Sequence, residues 1–176
     1  SKALDLLPDL SVFGIDESAD DFDERAFLKS PLSEYECLIL GVRGKSGRGM
    51  ELSYNEEQQS YVVHVNTPAT VLDWVLAISY LQALSKQLGS EITDENGEIY
   101  THDRIEQFDY ERDIAAGLHS IDQHLNGDTE VNFCYGVQRP FAINRAMMDE
   151  ILASYNPAAE FSKRLSEVQY LDAYSA

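Results

Sequence analysis

Positions 41–50, GVRGKSGRGM, contain Gly44-Lys45-Ser46, which is the ending of a phosphate-binding loop. A true loop of that kind has a first glycine at a fixed distance before this ending. That position holds Ile39. The mechanism also needs a helix after the serine, so that main-chain N–H groups converge on the phosphates, and a strand pattern follows here instead. We therefore predict a solvated turn that reverses the chain, and no nucleotide site.

Such a turn would carry three cations, Arg43, Lys45 and Arg48, whose side chains are expected to project into solvent. They form a local basic spot in an otherwise acidic chain. We predict these three residues as a contact for an anion or a protein partner. The sequence identifies no catalytic residue.

No other motif predicts a cofactor, a metal site or a nucleophile. The stretch 94–105, DENGEIYTHDRI, resembles a calcium loop, but its Gly97 comes too early and Ile105 stands where the loop needs a bidentate glutamate. The four histidines lack metal-binding spacing, and there is no G-x-S-x-G motif. Cys37 and Cys134 lie within apolar runs, which predicts buried, free thiols.

Charge limits the classes of partner. The chain has 176 residues, with 31 acids against 13 bases and a net charge of −18. Such a surface repels nucleic-acid phosphates and anionic lipid, so we expect neither nucleic acid nor membrane as a partner. It favours a basic protein partner. We find no apolar run of membrane-spanning length and no signal peptide, which predicts a cytoplasmic protein.

Three strands are predicted around the glycine stretch, at 35–43, 50–54 and 60–65. The first is a nearly continuous apolar run, and the other two alternate apolar and polar residues. Polar residues between the second and third strands indicate a hairpin connection. We therefore predict an antiparallel meander whose first turn is the glycine stretch.

The clearest helix spans residues 70–88. Thr70 is a good N-cap, Asp73 completes a capping-box pattern, and Gly89 ends the helix. Its apolar stripe is wide enough to cover one face of the meander.

The remaining elements follow no regular alternation of strand and helix. A hairpin is predicted at 91–100, with a type I′ turn at Asn96-Gly97. After it we predict a helical stretch from Thr101 to 127, either continuous or with a break, then a strand at 130–137 and helices at 144–155 and 158–171. This order predicts an α+β fold, a mainly antiparallel sheet (meander plus hairpin) with helices packed on one face.

Residues 1–34 differ in composition from the rest. They contain six acids between Asp16 and Glu24, and Pro8 and Pro31 interrupt any long helix. We predict an acidic N-terminal arm or linker whose apolar ends dock on a single α+β domain at 35–176. The segment is also compatible with the tail of a preceding domain.

Four stretches, at 47–70, 73–92, 96–101 and 168–176, resemble a family of functionally uncharacterised proteins from Gram-positive bacteria. The likeness covers about residues 35–176 and consists of strand, helix and turn patterns. It implies a cytoplasmic bacterial setting, and it brings no activity, cofactor or site residue.

Two classes of function fit these observations. The first is a non-enzymatic, cytoplasmic interaction or regulatory domain with an acidic surface, of which an immunity-like or inhibitor-like protein is a specific version. The second is an enzyme or small-molecule binder whose site is assembled from residues distant in sequence. Association into a homo-oligomer is compatible with either.

Overall fold

A four-stranded antiparallel sheet occupies the first half of the chain in the computed structural model, which describes residues 2–15 and 23–171. In chain order and in space, its strands are β1 (Leu10–Phe13), β2 (Leu38–Val42), β3 (Met50–Asn55) and β4 (Ser60–His64). Every neighbouring pair is antiparallel. The predicted meander is confirmed, and β1 extends it by one strand.

The segment before residue 35 contributes to this sheet. Strand β1 pairs with β2, and its Phe13 is buried. A short helix, α1 (Glu24–Lys29), precedes Leu32, which also joins the core. Apolar residues of the segment pack against the core of the sheet. The strand was not predicted, because four residues show too little periodicity. Most of the acidic run at 16–24 lies outside the described residues.

Helix α2 (Val71–Leu88) covers one face of the meander. Thr70 caps it by accepting a hydrogen bond from the main-chain N–H of Asp73, and Gly89 ends it with a φ of 64°. These signals confirm the predicted helix. Its core partners on the sheet are aliphatic side chains of β2 and β3, and the buried set comprises Leu38, Leu40, Met50, Leu52, Ala77 and Tyr80.

The next hairpin consists of β5 (Ile92–Thr93) and β6 (Ile99–Tyr100). The predicted two-residue turn is wrong, because five residues connect these strands and the φ angle is positive at Gly97 but not at Asn96. The carboxylate of Asp94 accepts hydrogen bonds from the main-chain N–H groups of Asn96 and Glu98 and so stabilises the loop.

The second half of the chain contains α3 (Tyr110–Leu125), β7 (Val131–Tyr135), β8 (Pro140–Asn144), α4 (Arg145–Ala153) and α5 (Pro157–Gln169). Strands β7 and β8 form an antiparallel hairpin. We did not predict β8, whose five residues begin with a proline. These elements share a second core, made of Ile114, Leu118, Ile121, Leu125, Cys134, Phe141, Ile143, Met148, Ile151, Phe161 and Leu165.

Helix α3 begins later than the sequence suggested. Thr101 is not its N-cap; a single 3-10 turn intervenes, and Asp109 caps the helix by accepting a hydrogen bond from the N–H of Arg112. Trp74 of α2 packs against both core clusters, and its ring stacks on Phe108 with 5.3 Å between ring centres. The arrangement of helices on antiparallel sheets confirms the α+β class.

The two cysteines differ in environment. Cys134 is buried, as predicted, but Cys37 is exposed. The prediction for Cys37 is wrong because the strand, predicted from residue 35, begins at Leu38. Cys37 therefore lies just before it. Among the described residues, no helix is both long and apolar enough to cross a membrane.

Candidate functional site

The glycine stretch connects β2 to β3 and reverses the chain, as predicted. The expectation that the whole turn is solvated is wrong, because residues 43–45 are exposed but Ser46, Gly47 and Gly49 are buried. The main-chain N–H groups of Lys45 and Ser46 both donate to the carbonyl oxygen of Val42, which closes the turn. Gly44 and Gly49 have φ angles of 77° and 68°, in the left-handed region that glycine adopts without strain.

The main-chain N–H groups at the end of this loop converge on a carboxylate. Those of Gly47, Arg48 and Gly49 lie 3.2, 2.8 and 3.0 Å from the oxygens of Asp73, which is fully buried. Thr70 Oγ1 lies at 2.8 Å from the same carboxylate. The loop therefore holds an anion by its main chain, as phosphate loops do, but the anion is the protein's own side chain.

Arg48 is half-buried beside this carboxylate. Its guanidinium donates hydrogen bonds of 2.9 Å to the carbonyl oxygens of Tyr135 and Pro68. Burial lowers the pKa of Arg48, while the nearby charges, Asp73 among them, oppose that shift. The expectation that Arg48 projects into solvent is wrong, because its side chain is half-buried and donates hydrogen bonds to two carbonyl groups.

The other two predicted cations, Arg43 and Lys45, lie at the exposed tip of the turn. The guanidinium carbon of Arg43 is 5.5 Å from the centre of the Phe13 ring. Contact of this tip with an anion or a protein partner stays a prediction. Arg43→Ser with Lys45→Ser would test it and leave the structural bonds of Arg48 in place.

The end of α5 fixes the glycine stretch from the other side. The hydroxyl of Tyr170 donates to the carbonyl oxygen of Ser46 at 2.7 Å. Burial raises the pKa of Tyr170, with the charge of Asp73 adding to the effect, so the hydroxyl keeps its proton. In addition, the main-chain N–H of Val137 donates to the carbonyl oxygen of Gly47 at 2.9 Å.

Gln169 completes this arrangement. Its side chain is fully buried, accepts hydrogen bonds from the N–H groups of Gln138 and Arg139, and donates to the carbonyl of Arg139. We call the set Ser46–Gly49, Asp73, Gln169 and Tyr170 the polar junction. It joins the meander, α2, the β7–β8 hairpin and α5. Its buried side chains are hydrogen-bonded to one another or to the adjoining main chain of residues 138–139, which is typical of a structural site.

An open groove lies between the end of α3 and the start of α4. Its volume is about 450 Å³. It is lined by Leu125, Gly127, Asp128, Thr129, Glu130, Asn144, Arg145 and Ala146. The cation in this lining, Arg145, is already paired with Asp122 and Asp149 at 2.8 and 2.7 Å. Across the described ranges, no three His, Cys, Asp or Glu side chains are grouped to hold a metal ion.

A concentration of acids lies on the β5–β6 hairpin, the following turn and the start of α3. Residues 91–113 contain nine carboxylates and two arginines. Seven of the nine are exposed, and we call these seven the acidic face: Glu91, Glu95, Glu98, Asp103, Glu106, Asp109 and Glu111. Tyr100 and Ile105 anchor this region by packing with Ile78 of α2.

Asp113 lies at the edge of the acidic face. Its carboxylate accepts the hydroxyl hydrogen bond of Thr67, at 3.1 and 3.2 Å to its two oxygens. Burial raises the pKa of Asp113 above its ordinary value, and the charge of Glu95 raises it further, although the Thr67 bond opposes the shift. Burial is thus the larger cause of the shift, and repulsion from Glu95 adds to it. The sequence predicted an acidic surface but not this location.

Comparison with known proteins extends the resemblance seen in the sequence. No curated protein and no solved structure matches the chain. One family model, described as Domain of unknown function (DUF4299), matches residues 1–176 and so includes the N-terminal segment. The chain therefore belongs to this uncharacterised domain family, as its strand, helix and turn patterns had predicted.

Proposed function

We propose that this domain binds a basic protein partner through the acidic face, as a non-enzymatic interaction or regulatory domain. The observation that carries the proposal is the exposure of seven carboxylates within one segment of 23 residues. In the described part of the chain, the arginine salt bridges lie elsewhere, on α4 and α5. Within the acidic face, Asp103 pairs with His102 at 3.2 Å, and the other six carboxylates have no salt bridge to a described residue, so most of the charge stays available to a partner.

Two further features support binding at this place. The exposed side chain of Ile99 stands in β6 among the carboxylates and is 54% accessible. Protein interfaces combine an apolar centre with a polar rim. Burial is the main cause of the raised pKa of Asp113, and the smaller contribution from the charge of Glu95 is one that a cationic partner would oppose.

A more specific form of the proposal is an immunity-like or inhibitor-like protein that covers a basic active site in the cytoplasm. Complementary charge accelerates such association and excludes partners of the wrong sign. The competing proposal is an enzyme or small-molecule binder with a site assembled from residues distant in sequence. Its ligand would bind in the groove beside α4.

Neutralising part of the acidic face is expected to weaken binding. With Glu91, Glu95 and Glu98 changed to glutamine, we expect affinity for the basic partner to fall about tenfold, because exposed charge pairs contribute a few tenths of a kcal/mol each. The measurement is capture of basic proteins from bacterial lysate at low salt, followed by titration of the captured protein against both variants.

The matched control changes the same number of exposed acids elsewhere, with Glu34, Glu56 and Glu57 replaced by glutamine. Its net charge equals that of the first variant, so equal losses in both would show a non-specific effect. Recovery of no partner at low salt would contradict the proposal directly.

Asp113→Asn is expected to raise the melting temperature slightly at neutral pH. The pKa of Asp113 is higher in the folded than in the unfolded chain, so ionisation costs the folded state free energy once the pH exceeds the unfolded value. Below the unfolded pKa both states are protonated and the advantage of asparagine disappears. Thermal melts across this pH range, with the exposed Asp128→Asn as control, measure it; a difference independent of pH would contradict it.

A further inference from the structure

Strand β4 is an edge of the meander without the features that normally prevent pairing. It is the last strand in the sheet order, and no described segment pairs with its outer side. Its sequence, SYVVH, contains no proline, lysine or carboxylate. Tyr61 and Val62 are 42% and 40% exposed. Exposed edges of β-branched and aromatic residues readily add another strand.

The opposite edge of the same sheet differs in two respects. Strand β1 has four residues, Leu10–Phe13, with Pro8 two residues before it and Gly14 directly after it. Asp9 before β1 and Gln59 before β4 both have positive φ angles, 62° and 49°, so this feature is common to the two edges. Short length and proline are standard means of preventing edge pairing. The β4 edge is one residue longer and has no proline within three residues of either end.

We propose that β4 pairs antiparallel with β4 of a second copy of this chain, about a two-fold axis at Val62. This inference goes beyond the proposed function and does not depend on it. The strand is self-complementary in that register: Tyr61 stands opposite Val63 on one face, twice, and Val62 opposite its own copy on the other. Aromatic with β-branched pairs are among the favourable cross-strand combinations. A two-fold interface requires such self-complementarity.

Charge favours a second copy of this chain at the β4 edge over the basic partner proposed for the acidic face. Because β4 carries no carboxylate, a basic strand would gain little attraction there. Glu56 and Glu57, in the β3–β4 turn, lie beyond one end of the strand. Antiparallel pairing places the two turns at opposite ends of the joined sheet, so these acids do not face each other.

The first test is the mass in solution by sedimentation velocity over a range of protein and salt concentrations. We expect a reversible dimer, whose population rises with protein concentration and does not fall as salt increases, because salt screens repulsion between two acidic copies. Capture of a basic protein by the acidic face has the opposite salt dependence, so the two proposals fail separately. A monomer at every concentration would overturn the dimer.

The second test places charge on the proposed axis. Val62→Lys and Val62→Glu each bring like charges together, so each variant alone is expected to be monomeric. An equimolar mixture of the two is expected to dimerise, because opposite charges then meet across the axis. Leu72→Lys is the matched control, since Leu72 of α2 is 43% exposed but lies away from the edge; it should leave the dimer intact.

Circular dichroism of each variant would verify that it is folded. Val62 is 40% exposed in the single chain, so both substitutions are compatible with the fold. Dimers that persist in both single variants would place the interface elsewhere and overturn the proposal. A mixture that stays monomeric would overturn it equally, because the pairing is centred on Val62.

Discussion

Asp73→Ala is expected to remove about 3–5 kcal/mol from the free energy of unfolding. The substitution leaves three main-chain N–H groups of the glycine stretch buried without an acceptor, together with the hydroxyl of Thr70. It also removes the negative charge beside Arg48. Because small domains have only about 5–15 kcal/mol of stability, the loss is a large fraction of the total. Urea denaturation followed by circular dichroism measures it.

Two variants make this result specific. Asp73→Asn keeps one acceptor oxygen but turns an amide group toward the N–H donors, so an intermediate loss is expected. Asp128→Ala removes an exposed carboxylate and should change stability by about 0.5 kcal/mol or less. If Asp73→Ala behaved like this surface control, the main-chain anion site would not hold the loop together.

Gly49→Ala is expected to cost about 3 kcal/mol or more, for two reasons that add. Gly49 has a φ of 68°, which is strained for any residue with a side chain. A methyl group there would also collide with the main-chain carbonyl oxygen of Leu40, which cannot move without disturbing β2. The same denaturation experiment measures the loss of stability.

Gly44→Ala separates the two causes. Gly44 has a similar φ of 77°, but an added methyl group would meet nothing within 4 Å. We expect a cost of about 1 kcal/mol, from backbone strain alone. Equal costs at the two positions would show that the contact with Leu40 is relieved by a small shift and that conformation decides both results.

The parts of the fold that the sequence predicted are those with local signals. Helix α2 has its cap at Thr70, its apolar stripe and its stop at Gly89 all within one stretch, so its limits could be read directly. Strands β1 and β8 lack such signals, because each has four or five residues and depends on a partner strand for its hydrogen bonds. Short strands of that kind are defined by the pairing and not by their own sequence.

The polar junction could not be predicted, because its contacts join residues far apart in the chain. The sequence suggested that Asp73 caps a helix, which is correct, but nothing local shows that a loop 24–26 residues earlier also donates to it. The bond between Arg48 and Tyr135 spans 87 residues. The sequence predicted no phosphate loop at Gly44-Lys45-Ser46, and it did not predict that the N–H groups of residues 47–49 converge on a carboxylate.

The acidic face shows the same limit. Composition predicted a negative surface, and the run at 16–24 is the densest group of acids in the sequence. The structure instead displays a concentration of carboxylates where a hairpin, a turn and the start of a helix pack together around Tyr100 and Ile105. The nine acids of residues 91–113 are adjacent in the sequence, and the packing adds which seven of them are exposed.

Trp74, placed between the two core clusters, gives the molecule an optical reporter of its own. It is the single tryptophan of the chain, so the whole indole emission comes from the boundary between the halves. Loosening of either half would expose the ring to water and shift that emission. Agreement between fluorescence and circular dichroism transitions would then establish that both halves unfold in one cooperative step.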